Sequence, residues 1–376
     1  MKKKSLLFAF AFLVPLAGCG CGRDGEGEIA PHPAGPSARA EAPLAPAVVR
    51  APFETMGTTG AVTVALGQLD EAAAQAAAGR AVAAAKRVSA RMSAYDPESE
   101  VGRFNRLAAG EAMTLSPDTA RVLALALETW RTSEGRFDVT VGPLVQIYRP
   151  LVRQYQLDGV EVALPPDARV AEARARVGSG HLVFDTKRRT LAKRVEGVRI
   201  DLGAVAKGFG VDAAVEALRA AGVRRALVEI GGEVRALGEK APGVPWRVAV
   251  RNPRGEGSIV TLDLADRAVA TSGDYAQFFV SGGVRYSHIV DPRTGRPVRR
   301  GIVSATVLAR DCARADALAT SLCAWGGEGG LKGMLAALGA GDLEALVVRE
   351  AADGALSVER TEGLKKLEVN LARDAE

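Results

Sequence analysis

The chain is poor in aromatic residues, which make up 5% of its 376 positions. That leaves little material for the stacking platforms on which single-stranded nucleic acids bind. Histidine is rarer still, with His32, His181 and His288 the three in the sequence. Of the four cysteines, Cys19 and Cys21 stand near the start, so Cys312 and Cys323 alone remain for a folded body. Cys323 falls in a helical run with apolar neighbours and reads as a buried thiol rather than half of a disulfide. Long apolar runs are missing too, the stretch from Ser5 to Pro15 being too short to cross a bilayer as a helix. No GxSxG elbow occurs, which argues against a serine-hydrolase triad. Excess charge is also scarce. Removing Lys2, Lys3 and Lys4 with a processed leader takes the formal net charge from +5 to +2. So small a surplus gives no reason to expect a nucleic-acid partner.

What is present is an ordinary globular composition, 48% hydrophobic and 25% charged. The length allows two domains and a sizeable core. The start reads as a processing signal. Lys2 to Lys4 form a positive region, a short apolar stretch follows, and Leu16-Ala17-Gly18 puts small residues before Cys19. This resembles the lipobox of bacterial lipoproteins, in which the cysteine is lipidated, and it implies a signal peptide over 1–18. An ordinary secretory signal is the plainer alternative. Each buried CH2 of a lipid chain adds about 0.8 kcal/mol to anchoring. Residues 19–52 are rich in Gly, Ala and Pro and read as a flexible tether that holds the body away from a membrane. Such a leader predicts a lipid-anchored protein on the extracytoplasmic, periplasmic side of a bacterial envelope.

The folded body is expected over 53–360, with 361–376 a charged peripheral tail. A helical pattern covers 71–91. Ser116-Pro117-Asp118 supplies an N-cap, a first-turn proline and a first-turn acid for a second helix. A third helix spans about 205–221 and stops at Gly222. Short β-like runs follow at 226–230, 247–250, 259–264, 268–272, 278–280, 284–290 and 303–309. Helices at about 314–324 and 328–338 and a strand at 343–348 complete the pattern. Helices and strands alternate without a βαβ period, which predicts an α+β class with mixed or antiparallel sheets and flanking helices.

Three motifs carry the chemistry. Asp316 and Thr320 are four apart on a predicted helix, so a carboxylate and a hydroxyl share one face. Oxygen ligands of this kind suit Mg2+, which keeps few protein ligands because phosphates and water fill the rest. A capping pair would look the same. Tyr286 to Gly295 reads as a strand entering a tight turn. Asp291-Pro292-Arg293-Thr294-Gly295 explains the turn but not His288 before it. A histidine there can take a proton near neutral pH, or can be structural. Asp201-Leu202-Gly203-Ala204-Val205-Ala206-Lys207-Gly208 has glycines at a strand-to-helix transition, where backbone can approach a ligand and Lys207 reinforces the anion preference of a helix start. Its spacing matches neither GxGxxG nor GxxxxGK[ST].

Met56-Gly57-Thr58, Met92 to Glu100, Phe137-Asp138-Val139-Thr140-Val141-Gly142-Pro143-Leu144, the Asp201 run, Gly231-Gly232-Glu233, His288 to Pro297 and Ala315 to Thr320 occur in this order. Together they resemble the ApbE family of FAD:protein FMN transferases, across residues 56–320. One departure is Gly60, where many relatives carry an aromatic. The resemblance implies one α+β catalytic body, which overrides the two-domain prior. It implies that Met56, Tyr95, Arg136, Phe137, Asp138, Asp201, Lys207 and Val290 contact FAD. It implies Mg2+ held by the Ala204 carbonyl, Asp316 and Thr320, with His288 acting in transfer. The reaction would move FMN from FAD to a Ser or Thr hydroxyl of an acceptor protein, such as a membrane electron-transfer subunit, and release AMP. An FAD pyrophosphatase and a non-enzymatic flavin-holding lipoprotein are the rival readings.

Overall fold

The computed structural model describes residues 47–369, apart from 68, 300, 327–329 and 352. Cys19 and most of the expected tether lie outside the described residues. Eight described strands form one antiparallel sheet. In spatial order they are Val48–Thr55, Thr58–Ala65, Ala226–Ile230, Glu233–Leu237, Ala268–Gly273, Ile302–Ala309, Glu344–Glu350 and Leu356–Arg360. The α+β expectation holds, and the sheet is antiparallel rather than mixed.

The edge strand corrects the expected start of the body. Val48–Pro52, assigned to the tether, alternates with Phe53–Thr55 between exposed and buried positions and pairs in register with Ala61–Ala65. Pro52 is tolerated because an edge strand can spare an N–H. A two-residue turn, Met56-Gly57, closes this hairpin, and both residues have positive φ, 51° and 73°. Tight hairpins require that conformation, but a methionine rarely adopts it. The far boundary also moves. Leu364, placed in the expected tail, is fully buried, and the Val369 N–H donates to the Thr261 carbonyl.

Helices cover one face of the sheet. In Glu71–Met92 the buried positions Ala74, Ala77, Ala78, Ala81 and Ala85 pack with Val211, Ala214, Val215 and Leu218 of the Ala206–Ala220 helix. Alanines let the two helices lie close, and Asp70 caps the first by accepting from the Ala73 N–H at 2.7 Å. Ala305, Val307 and Ala309 pack with Ala315, Leu318 and Leu322 of the Cys312–Trp325 helix. On the other face the hairpin Trp246–Arg251/Ser258–Leu264 packs with Val269, Val303, Leu308 and Leu346. A strand covered on both sides must be apolar throughout, and Ile302–Ala309 is buried at every position. Among the described residues no helix is long and apolar enough to cross a membrane. Cys312 and Cys323 are free and buried, as expected of thiols in the core.

Candidate active site

The site is fixed by how closely two helices meet. A Cβ on Gly208 would lie 2.4 Å from the Cys312 carbonyl oxygen, so only glycine allows this contact. Beside it, Asp212 caps the Cys312–Trp325 helix from outside. Its carboxylate accepts the Cys312 and Ala313 N–H groups, both at 2.9 Å, and takes Arg235 Nη1 at 2.6 Å. An anion at a helix N-terminus is stabilised by the aligned peptide dipoles. These contacts set Lys207 on one helix against Asp316 on the other.

Asp316 is buried. Its Oδ2 accepts the Gly208 N–H at 3.0 Å, and Oδ1 lies 4.0 Å from Lys207 Nζ. The next N–H along, that of Phe209, donates to the Val205 carbonyl. By the same helical step Gly208 would donate to Ala204. Asp316 takes that hydrogen bond instead, which leaves the Ala204 carbonyl beside Asp316 without its helical donor. Burial raises the Asp316 pKa against the opposing effect of Lys207. Thr320, one turn further on, shares its hydroxyl with Ser272 Oγ at 2.9 Å. A carbonyl, a carboxylate and a hydroxyl on these two helix segments make an all-oxygen donor set whose chemistry fits Mg2+. No group of three His, Cys, Asp or Glu side chains is placed to hold a metal among the described residues. A site with one carboxylate and several positions filled by phosphate or water does not need such a group.

Lys207 also pairs with Glu233, which the Gly231-Gly232 turn (φ 65° and 103°) delivers. Glu233 is buried, and its Oε2 has no hydrogen-bond partner. Burial opposes the charge on Lys207, but Asp316 and Glu233 outweigh it and hold the ammonium well above its ordinary pKa. The Gly231 N–H donates to the Thr59 carbonyl, bringing this turn beside Met56-Gly57. Met56 reaches the helix start, where a Cβ on Gly210 would meet its Cε at 2.9 Å.

Asp201 precedes the same helix. Asn105 pins its neighbour, accepting from the Ile200 N–H at 2.7 Å and donating to the Ile200 carbonyl at 2.9 Å. Burial raises the Asp201 pKa, while the Gly203 N–H and Arg149 oppose. Tyr95 OH donates to Asp201 Oδ2 at 3.2 Å, and the Arg149 guanidinium lies over the Tyr95 ring at 3.6 Å. Ser93 and Ser99 shape the turn that presents Tyr95. Arg149 was not singled out in the sequence, because its helix, Gly142–Asp158, has Pro150 inside it and hides its period.

Phe137 and Asp138 behave differently. Phe137 is a core side chain. The Asp138 carboxylate is saturated by Thr140 N–H and Oγ1 and by Ser179 N–H and Oγ. Both residues shape a segment that docks on the Asp201 loop, where Asp201 N–H donates to the Val139 carbonyl at 2.7 Å. Arg136 stacks on Trp325 at 3.9 Å, and its Nε is buried without a partner. Val290 is buried in the cluster with Leu144 and Phe279. At Gly60, the Phe53 ring and the Glu229 carbonyl occupy the space a side chain would need.

His288 follows the Phe278–Ser281/Val284–Ser287 hairpin, and the strand expected over 284–290 breaks there. Ring Nδ1 lies 2.9 Å from the Gln277 carbonyl. A carbonyl only accepts, so Nδ1 carries the hydrogen and Nε2 keeps a lone pair. Surrounding protein pushes the imidazole down to about 4, Gln277 and Asp274 oppose, and Lys207 adds to the lowering. The residue nevertheless keeps an exposed surface, which argues for a smaller shift in the same direction. The ring is neutral at pH 7. His181, in contrast, lies in the Ser179–His181 turn with none of these groups. The sequence reading passed over Ser272, Asp274 and Gln277. The polar run Thr271-Ser272-Gly273-Asp274 at a strand end was the available signal.

The chain matches the ApbE family over residues 56–346. It is 39% identical to the FAD:protein FMN transferase of Vibrio cholerae, over 65% of this chain and 72% of that protein. Identity to the Haemophilus influenzae FAD:protein FMN transferase is 37%, over 66% and 72%. The fold superposes on the flavin transferase ApbE from Vibrio cholerae with a TM-score of 0.73 at 33% identity, covering 86% of this chain and 99% of that one. On the ApbE protein of Thermotoga maritima the TM-score is 0.74 at 30% identity, with 86% and 100% covered. Alike in ordered motifs and in fold, this chain belongs to the ApbE family.

Proposed function

We propose that this chain transfers FMN from FAD to a Ser or Thr hydroxyl of an acceptor protein, with Mg2+ as cofactor and AMP as leaving group. Support for the metal comes from the diverted Gly208 N–H, which leaves the Ala204 carbonyl without its helical donor at the helix start that Asp316 contacts. Bound there, Mg2+ would neutralise phosphate charge and polarise the phosphorus. Lys207, held charged by Glu233 and Asp316, binds the diphosphate. Tyr95, with Asp201 and Arg149 behind it, offers a face for a flavin or adenine ring. Arg136 Nε is a free buried donor for the same nucleotide. The acceptor hydroxyl oxygen bonds to the FMN phosphorus, the bond from that phosphorus to the AMP oxygen breaks, and the hydroxyl proton passes to His288 Nε2. Positioning and electrostatics carry most of the rate.

Incubation with FAD, Mg2+ and a candidate acceptor tests this. Flavin fluorescence that stays with the acceptor on a denaturing gel is the expected result. Free FMN without labelled acceptor would point to hydrolysis instead, and unchanged FAD to a carrier.

A pH profile follows from the lowered histidine. With its pKa below the ordinary 6.5, Nε2 stays unprotonated through pH 6.5, and kcat/KM falls only under more acid conditions. An acid limb centred at or above 6.5 would contradict the assignment.

The proposed setting is the periplasmic face of a membrane, with Cys19 lipidated and the acceptor a membrane electron-transfer subunit. Support comes from the order of charge, apolar stretch and Leu16-Ala17-Gly18-Cys19. Cys19→Ser is expected to release the protein from the membrane while leaving transfer in detergent intact. Wild-type protein recovered without lipid from its native cell would rule the anchor out.

A further inference from the structure

His288 is held by a short connection rather than by another side chain. Residues 274–277 join the strand Ala268–Gly273 to the Phe278–Ser281 hairpin, and Gln277 accepts twice from His288, from its backbone N–H at 3.1 Å and from Nδ1 at 2.9 Å. The place of Gln277 therefore decides both the tautomer of the ring and the direction of Nε2.

The connection is tied down from outside. Asp274 takes a fork from Arg254, Nη1 to Oδ1 at 2.7 Å and Nη2 to Oδ2 at 2.8 Å. Arg254 reaches Glu350 at the end of the Glu344–Glu350 strand with two more bonds, Nε to Oε1 and Nη2 to Oε2, both at 2.9 Å. Asp274 N–H donates to the Val303 carbonyl at 3.0 Å, and Gln156 Nε2 donates to the Ala276 carbonyl at 3.1 Å. Arg254 comes from the turn between Trp246–Arg251 and Ser258–Leu264, on the opposite face of the sheet from the site helices. Its side chain is 18% exposed, and those of Asp274 and Glu350 are 20% and 32%.

An isolated surface ion pair would contribute little. This one differs, because it is bidentate at both ends and bridges two carboxylates that would otherwise repel each other. Lysine, a point charge, cannot reproduce the two forks.

We propose that Arg254 is a positioning residue for transfer: it clamps residues 274–277 so that Gln277 holds His288 with Nε2 free to accept the acceptor's proton. This rests on the reading of His288 as the base. None of the clamp's side-chain hydrogen bonds reaches Lys207, Asp316 or Thr320, so its loss is expected to lower kcat and spare FAD affinity.

Arg254→Gln, His288→Asn and the double variant are compared with wild type by single-turnover transfer, FAD affinity and melting temperature. Nitrogen-15 NMR of the His288 ring reports the tautomer. Arg254→Gln is expected to slow transfer about 10- to 100-fold, the usual effect of losing an outer partner of a catalytic group. FAD affinity stays unchanged, the Nδ1–H tautomer gives way to a mixture, and the double variant is no slower than His288→Asn alone. If Arg254→Gln does not fold, Arg254→Lys, which keeps the charge and loses the forks, is read by the same criteria. Wild-type rate and tautomer in the Arg254 variant with an impaired His288→Asn, or multiplied effects in the double variant, would overturn the clamp alone. Wild-type transfer by His288→Asn would overturn the base reading and the clamp with it.

Discussion

Asp316→Asn abolishes Mg2+-supported transfer. The asparagine oxygen still accepts the Gly208 N–H now held at 3.0 Å, so the junction of the two helices survives. What disappears is the one negative charge among the three donors. The pocket then holds Lys207 facing a neutral amide, with Glu233 its remaining counter-ion. Transfer is expected to fall at least on the order of 10²–10³-fold, the cost of removing one pre-positioned electrostatic group, and the Mg2+ concentration for half-maximal rate rises. Thermal stabilisation by Mg2+, expected of the wild type, is lost as well. Thr320→Val has a milder effect, since water replaces a neutral ligand, although it also removes the partner of Ser272. Normal activity of Asp316→Asn at limiting Mg2+ would contradict the metal assignment.

His288→Asn slows transfer without loosening FAD. Asparagine can keep a hydrogen bond to the Gln277 carbonyl, now made by Nδ1, but cannot take up a proton near neutral pH. A reduction of roughly 10²–10⁴-fold in single-turnover rate is expected, the usual share of one general base. The matching change His181→Asn, in the Ser179–His181 turn, leaves the rate alone and serves as the control. A purely structural histidine would behave otherwise, losing melting temperature and FAD affinity together, with activity falling in proportion. Near-normal transfer by folded, FAD-saturated His288→Asn would leave metal and lysine as the source of catalysis.

Much of this was legible in the chain because local rules agree with the fold. Ser116 caps the Pro117–Thr132 helix, Gly222 follows the Ala206–Ala220 helix, and Asp316 and Thr320 share the face their spacing implies. The misses have physical causes. Val48–Pro52 looks like tether because Pro52 and Ala51 dilute its alternation, yet an edge strand tolerates both. Gly142–Asp158 carries an internal proline, which the periodicity rules count as a break. The single strand expected over 284–290 fails because His288 turns back to Gln277. Within the site, a side chain could be named from its motif, but its partners could not. The freeing of the Ala204 carbonyl depends on Asp316, 108 residues from Gly208. The saturation of Asp138 depends on Ser179, 41 residues away. Such distant pairings arise only in the folded chain.

The most direct test of the central claim is the covalent product. After reaction of the protein with FAD, Mg2+ and an acceptor, mass spectrometry of the digested acceptor and chromatography of the nucleotides are run on one sample. FMN attached through its phosphate to a single Ser or Thr, with AMP released in equal amount, is the result predicted here. AMP accompanied by free FMN and an unmodified acceptor would contradict it.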